Sequence, residues 1–147
     1  MTSIADFASL VLRDHGLSVV STLRADATIQ SSVVNAGVLT HPLSGALVIG
    51  FTTRRGAAKL ANLRARPRAT VVVRAGWEWA AAEGPVELAG PENPLPGISA
   101  EGLRLLLREV FEAAGGTHDD WAAYDAVMAQ EGRAVVMLAP QRLYSNP

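Results

Sequence analysis

The spacing of apolar and polar residues changes period along this chain, and each change marks an element. Ile4, Phe7, Ala8, Val11 and Leu12 recur at helical spacing. They predict a helix that opens near Ser3, carries Asp6 where the dipole favours an acid, and ends by Gly16. His15, just before that glycine, reads as a helix-end cap with no chemical role. Leu17–Arg24 is rich in β-branched residues and predicts a strand, and a second runs over Ile29–Leu39. A turn at His41–Gly45, with His41 on the surface, leads to a third strand, Ala46–Thr52. Ala69–Ala75 makes a fourth, and Trp77–Leu88 a long fifth with a bend at Gly84-Pro85. A proline- and glycine-rich loop, Ala89–Ser99, is a candidate lid. Ser99 or Ala100 then starts a helix burying Leu103, Leu106, Leu107, Val110 and Phe111, and Gly115-Gly116 stops it. Thr117 caps a last helix, with Asp119 and Asp120 in its first turn. Ala134–Ala139 is the sixth strand, kinked at Pro140 and continued by Leu143-Tyr144. Six strands and four helices, joined mostly by short turns, predict a mainly β fold: an antiparallel Greek-key barrel flanked by helices, one domain over 1–147.

Composition narrows the possible functions. With 49 % hydrophobic and 18 % charged residues the chain reads as a folded globule. A net charge of −1 supplies no global pull toward nucleic acid or membrane, and neither is expected as a partner. Without cysteine there is no disulfide, thiolate-bound metal or thiol catalysis. The start MTSIADFASL lacks the pattern of a signal peptide, and no apolar run reaches the roughly 20 residues of a membrane span. A cytoplasmic location is expected.

The charges are distributed unevenly. Phe51–Ala69, FTTRRGAAKLANLRARPRA, holds Arg54, Arg55, Lys59, Arg64, Arg66 and Arg68, and Lys59 is the only lysine. Between Asp26 and Glu78 there is no acidic residue. A strand, a short basic helix and a second strand with no acid nearby suit an anion such as phosphate, shared between helix-start amides and a lysine one turn inside. Thr53 is the expected N-cap, and Pro67 the stop. The alternative is a solvated helix between two strands, and on the residues alone both readings stand. The cluster His118-Asp119-Asp120 lacks a second set of ligands at metal spacing and reads as capping chemistry. No nucleophile–base constellation is visible, so no catalytic residue is named.

The segment TTRRGAAKLANLRARPRA resembles the cofactor-phosphate segment of split-barrel flavoproteins related to pyridoxamine 5'-phosphate oxidase: Ser/Thr, then Lys-x-x-Asn-Leu, then Pro-Arg-Ala before a strand. GWEWAAAEGPVEL at 76–88, GTHDDWAAYDAVM at 116–128 and the closing Leu143-Tyr144 make the chain more similar to the branch of coenzyme F420-dependent enzymes. The resemblance implies a six-stranded split β-barrel of the FMN-binding type. It also implies a homodimer with the cofactor at the subunit interface, and hydride transfer between reduced F420 and an unsaturated small molecule. The alternatives it leaves are an FMN-dependent oxidase-like enzyme and a non-enzymatic flavin or deazaflavin carrier. Carried over residue by residue, it places Ser32, Val33, Val34 and Asn35 along the ring. Thr52, Thr53, Arg54, Arg55, Lys59 and Asn62 bind the cofactor, with the phosphate on Lys59, Asn62 and the adjoining amides, and Arg54, Arg55, Arg64, Arg66 and Arg68 stand around an acidic tail. Trp77 walls the pocket, and with Trp79 it forms the face that pairs two subunits. The branch has an arginine where this chain has Ala57, and either Arg54 or Arg55 takes its place.

Overall fold

The computed structural model describes residues 1–146. Helix α1 spans Ile4–Val11. The Ser3 hydroxyl accepts a bond from the Asp6 amide, and the Asp6 carboxylate accepts one from the Ser3 amide, a reciprocal cap that satisfies two otherwise orphaned donors. The helix ends earlier than its spacing predicts. A turn follows in which Gly16 N–H returns to Val11 O and both His15 and Gly16 take left-handed backbone angles.

Eight strands form rather than six: β1 Leu17–Leu23, β2 Ile29–Asn35, β3 Gly37–Thr40, β4 Leu47–Thr53, β5 Arg68–Ala75, β6 Glu78–Ala89, β7 Ala134–Leu138 and β8 Arg142–Ser145. The extra two arise by division. The expected strand 29–39 breaks at Ala36, whose N–H turns aside to Gly16 O, and the last strand breaks at the kink around Pro140. Neighbours pair antiparallel in the order β2-β1-β5-β6-β7-β4-β3, with β8 also on β6. β2 and β3 lie at opposite ends of that order, yet one residue joins them. The sheet must therefore curl until its ends meet, which makes it a barrel.

β6 serves both halves of the barrel. Its first part pairs with β5 and β8, and from Val86 it pairs with β7. The exchange happens at Gly84-Pro85, where the sequence predicts a bend. A Cβ on Gly84 would lie 2.0 Å from Ala139 O, so only glycine lets the two backbones approach.

Two apolar clusters hold the fold. Inside the barrel, Phe51, Ile49, Val71, Val73, Val136 and Leu138 are buried, and Phe7 and Val11 of α1 close one mouth. Outside it, helix α3 (Ala100–Ala113) and helix α4 (Trp121–Gln130) cover the β3-β4-β7 face through Leu106, Leu107, Val110 and Tyr124. All five residues of β7 are buried for this reason: Val136 and Leu138 face the interior, Val135 and Met137 the helices. Gly37 fixes the end of α3, since a Cβ there would sit 2.3 Å from the Ala113 carbonyl carbon.

Two capping expectations change in the structure. Asp120, not Thr117, caps α4 by accepting from Ala123 N–H at 3.1 Å. His41 is buried rather than exposed: its Nδ1 accepts from the Leu43 and Ser44 amides, and its Nε2 meets Glu87 at 3.0 Å. Its ring closes the β3–β4 turn from within.

α4 is tied to α3 by charge. Asp125 accepts from Arg104 Nη1 at 2.8 Å and from Arg108 Nε at 2.9 Å, and Arg108 also lies 5.2 Å from the Trp121 ring centre. The hydrogen bonds from Arg108, against a burial cost, and those from Arg104 hold the Asp125 carboxyl down to about 2, below its ordinary 3.8. A depressed carboxylate gives stability that is fully present above the unfolded value and is lost as pH falls toward the folded one. Thermal melts should therefore show the parent above Asp125→Asn at pH 7 and pH 5, with the gap closing between about pH 4 and pH 2. A gap independent of pH would mean that the ion pair does not anchor α4.

Candidate functional site

Strand β4 ends at Thr53, and its continuation builds the site. Arg54–Ala57 is a turn closed by Ala57 N–H on Arg54 O at 3.1 Å, with Gly56 at φ 80. Helix α2, Ala58–Ala65, starts after it. Its N-cap is Ala57, which offers no side-chain acceptor, and no acid stands in the first turn. The helix start thus keeps its positive end uncompensated. The expected Thr53 cap does not form. Thr53 is 2 % exposed, and its hydroxyl oxygen is buried with no partner.

The pairing of β4 with β7 brings a second turn alongside. Thr53 stands opposite Ala134, and Arg55 N–H donates to Glu131 O at 3.1 Å. Arg133 therefore lies next to the β4–α2 turn. Its Nη1 donates to Thr52 Oγ1 at 3.2 Å and its Nη2 to Glu131 Oε2 at 3.1 Å, while its Nε is buried without a partner.

A cleft of about 750 Å³ opens here, between β2, the two turns, the end of α3 and α4. Its lining combines two chemistries. Thr52, Thr53, Arg54, Lys59 and Arg133 are polar or cationic, and Val33, Val34, Val110, Phe111, Tyr124 and Met128 are largely apolar. Among the described residues no aspartate or glutamate lines it. Partial burial, then the charges of Arg133 and Arg54, push the Lys59 amine below its ordinary value. Arg133 is paired with Glu131, while Lys59 and Arg54 have no carboxylate partner among the described residues, and an excess of positive charge of this kind suits an anion. Burial raises the Tyr124 hydroxyl to about 12, and its proton is already given to Leu107 O at 2.9 Å. Tyr124 is a neutral wall of the cleft.

Seven expected residues come together in this cleft: Val33, Val34, Asn35, Thr52, Thr53, Arg54 and Lys59. Four do not. Ser32 lies on the same strand face as Val34 with its hydroxyl buried and unpartnered, but it does not line the cleft. Arg55 lines a second cleft of about 380 Å³, which shares Arg54 and Ala57 with the first, and it pairs with Glu92 at 3.3 Å. Asn62 turns inward and donates to Thr22 Oγ1 at 3.1 Å, a strut between α2 and β1. Trp77 sits in the β5–β6 turn, 95 % exposed and away from the cleft, whereas Trp79 meets the Tyr144 ring edge-on.

The arginines expected around an acidic tail divide in the same way. Arg64 donates to Asn93, Arg66 to Leu23 O and Arg68 to Gln141, so only Arg54 and Arg55 stand at a cleft. Conversely, the sequence reading missed Arg133, Phe111, Tyr124, Met128 and His15, all of which line the main cleft. The acid-free stretch hinted at an unmatched cation site, but the strand pairing that supplies Arg133 spans 81 positions.

No family model matches the chain. Its fold is nevertheless that of several solved proteins. An F420 reductase is 17 % identical, covering 91 % of this chain and 93 % of that one, with a TM-score of 0.59. A pyridoxamine 5'-phosphate oxidase-related, FMN binding protein from Nostoc punctiforme PCC 73102 is 13 % identical over 96 % of this chain and 81 % of its own, at 0.60. A heme binding protein from Mycobacterium smegmatis is 18 % identical over 99 % of this chain, at 0.63, and this chain spans 55 % of it. These likenesses show a split-barrel fold of the kind used by flavin-binding proteins related to pyridoxamine 5'-phosphate oxidase.

The orphaned hydroxyl of Thr53 gives a direct test. Thr53→Val keeps the shape and removes a buried polar group that has no partner, so the ligand-free protein should melt at the same temperature or higher. Binding of a phosphate-bearing ligand in the cleft should weaken. Loss of stability without ligand would show that the hydroxyl is satisfied within the fold.

Proposed function

We propose that the cleft holds a phosphate-bearing flavin or deazaflavin and that the protein is an oxidoreductase. Within that class we assign coenzyme F420 as cofactor and an unsaturated organic small molecule as substrate. The observation that carries the reading is that Arg54, Lys59, Arg133 and Thr53, with its unpartnered hydroxyl, line one cleft together with apolar side chains, and that Arg133 alone of the three cations has a carboxylate partner, Glu131, which lies outside that lining. The cationic part of the lining has the chemistry of a phosphate site and the apolar part that of a flat ring's pocket.

The residues fit such a group. Lys59 is a compact charge next to a helix start whose amides lack a side-chain cap, so amine and amides can share one phosphate. Val33 and Asn35 present the outer face of the edge strand β2, and Asn35 is fixed by its donated bond to His15 O at 2.8 Å. Phe111 and Met128 add apolar lining that would help to keep water from the ring. When bound, the cofactor supplies the hydride chemistry, and the chain's task is to orient it and keep the pocket dry.

F420 is favoured by the second cleft. It continues past Arg54 to Arg55, with Glu131 also in its lining, and offers room beyond a single phosphate and two arginines for an acidic tail. FMN is the second reading, favoured because Arg64, Arg66 and Arg68 are engaged elsewhere and add nothing to that track. A carrier without turnover would use the same residues.

A homodimer belongs to this proposal, through a different face from the tryptophan pair. Leu17, Val19 and Leu23 of β1 and Ile29 and Val33 of β2 stand exposed and in register on one outer face. That face reaches the cleft at Val33. Trp77 can meet the ring only across a subunit boundary, so its part in binding is tied to the dimer. Sedimentation of the ligand-bound protein at micromolar concentration should give twice the chain mass; a monomer ends this part of the proposal.

Side-by-side titration with F420, FMN and heme tests the cofactor, with F420 expected to bind most tightly at low salt. Tighter FMN would select the second reading, and heme alone would overturn both. Lys59→Ala removes one charge-assisted bond, worth roughly 1.5–3 kcal/mol, and should weaken F420 about ten- to a hundredfold. The melting temperature of the ligand-free protein should stay unchanged or rise, because burial and the neighbouring arginines disfavour the charged amine, and Lys59→Arg should recover only part of the affinity.

A further inference from the structure

We infer that Arg133, presented by the turn between α4 and β7, is a ligand-binding residue that grips the phosphate together with Lys59, and that Glu131 and Thr52 position it. The inference rests on the proposal that the cleft takes a phosphate-bearing ligand.

Arg133 has the features of a prepared guanidinium rather than of a local brace. Its side chain is about three-quarters buried, with two of its nitrogens fixed, by Thr52 Oγ1 at 3.2 Å and Glu131 Oε2 at 3.1 Å. The third, Nε, is buried with no acceptor. A guanidinium that served only to close its own turn would have no reason to leave a donor unsatisfied at that burial. The neighbouring Thr53 hydroxyl is also unpartnered, and Arg133 and Thr53 line the same cleft. Two residues with an orphaned polar atom, one at the end of β4 and one in the α4–β7 turn, therefore line one cleft, and no acidic residue among those described lines it.

Glu131 is not the acceptor that completes the site. It pairs with Arg133 from two residues away but does not line the main cleft. It neutralises one of three converging cations, and Lys59 and Arg54 remain without an anionic partner in the cleft. A phosphate ester is the chemical class that matches: it offers several acceptors at once, and the planar fork of an arginine suits two of them. The turn that presents Arg133 is itself shaped by this neighbourhood. Gly132 takes φ 59, and a Cβ there would meet the Arg55 guanidinium at 2.5 Å, so glycine lets Arg55 lie across the turn.

The test separates phosphate recognition from packing by using ligands in pairs. FMN is titrated against riboflavin, and F420 against its phosphate-free deazaflavin alcohol, on the parent, Arg133→Gln, Arg133→Lys and Lys59→Ala. Arg133→Gln should weaken the phosphate-bearing member about tenfold or more while the phosphate-free member changes less than about twofold. Arg133→Lys keeps the charge without the fork and should fall between parent and Arg133→Gln. It carries the same test if the glutamine variant does not fold. Equal losses for both members of a pair, or no loss for either, would overturn the role of Arg133. If Lys59→Ala selectively weakens the phosphate-bearing member and neither Arg133 variant does, the phosphate site stands and this inference falls. If no variant distinguishes the members, or the parent binds neither pair, the phosphate reading itself falls and Arg133 with it.

Discussion

The pairing of β4 with β7 is the constraint on which the cleft depends. The register that sets Thr53 opposite Ala134 also sets the β4–α2 turn beside the α4–β7 turn, and the Arg55–Glu131 main-chain bond locks the two together. Shifting that register by one residue would send Val136 and Leu138 out of the barrel and Val135 and Met137 into it. The packing of both apolar clusters thus holds the cations in place. Stability and site geometry come from the same alternation along five residues of β7.

That coupling decides what could be read from the sequence. Elements with a strong local period were legible: the Ser3–Asp6 cap, the buried stripe of α3, and the Gly84-Pro85 bend where β6 changes partners. Strand number was not, because Ala36 interrupts a run whose hydrophobic pattern continues across it; the break is set by Gly16 O, 20 residues earlier. Within the site, the acid-free stretch located Arg54 and Lys59 from local charge alone. Asn62 was misplaced because a polar residue on a short helix can face either way, and here Thr22 draws it inward. Arg133 follows only from long-range pairing, and nothing in its neighbourhood, EGRAVV, distinguishes it from an arginine at any strand entrance.

Three cations in a half-buried cleft work against folding unless something offsets them. Part of the offset is visible. Glu131 takes one of the charges, and the depressed Lys59 amine records the cost that remains; Arg55, in the neighbouring cleft, is held by Glu92. Exposed pairs such as Arg55–Glu92 contribute little to stability, so Glu92 can yield Arg55 to a competing carboxylate at small expense. The same geometry that leaves the ligand-free site strained makes an anionic ligand stabilising by linkage, since it binds only the folded chain.

The remaining feature is the scarcity of acid–base groups among the apolar side chains of the cleft. Tyr124 has given its proton to Leu107 O and, with its hydroxyl raised to about 12, stays neutral at ordinary pH. His15 lies at the rim with an exposed side chain, and the other two histidines serve turns: His41 caps the β3–β4 turn, and His118 accepts the Asp120 amide ahead of α4. A site that performed its own proton transfers would place an ionisable group deep in the cleft, within hydrogen-bond reach of the reacting atom. This one is lined instead by Val33, Phe111 and Met128 together with fixed charge. Such a lining suits a bound group that brings its own reactivity and needs from the protein an anchor and an orientation.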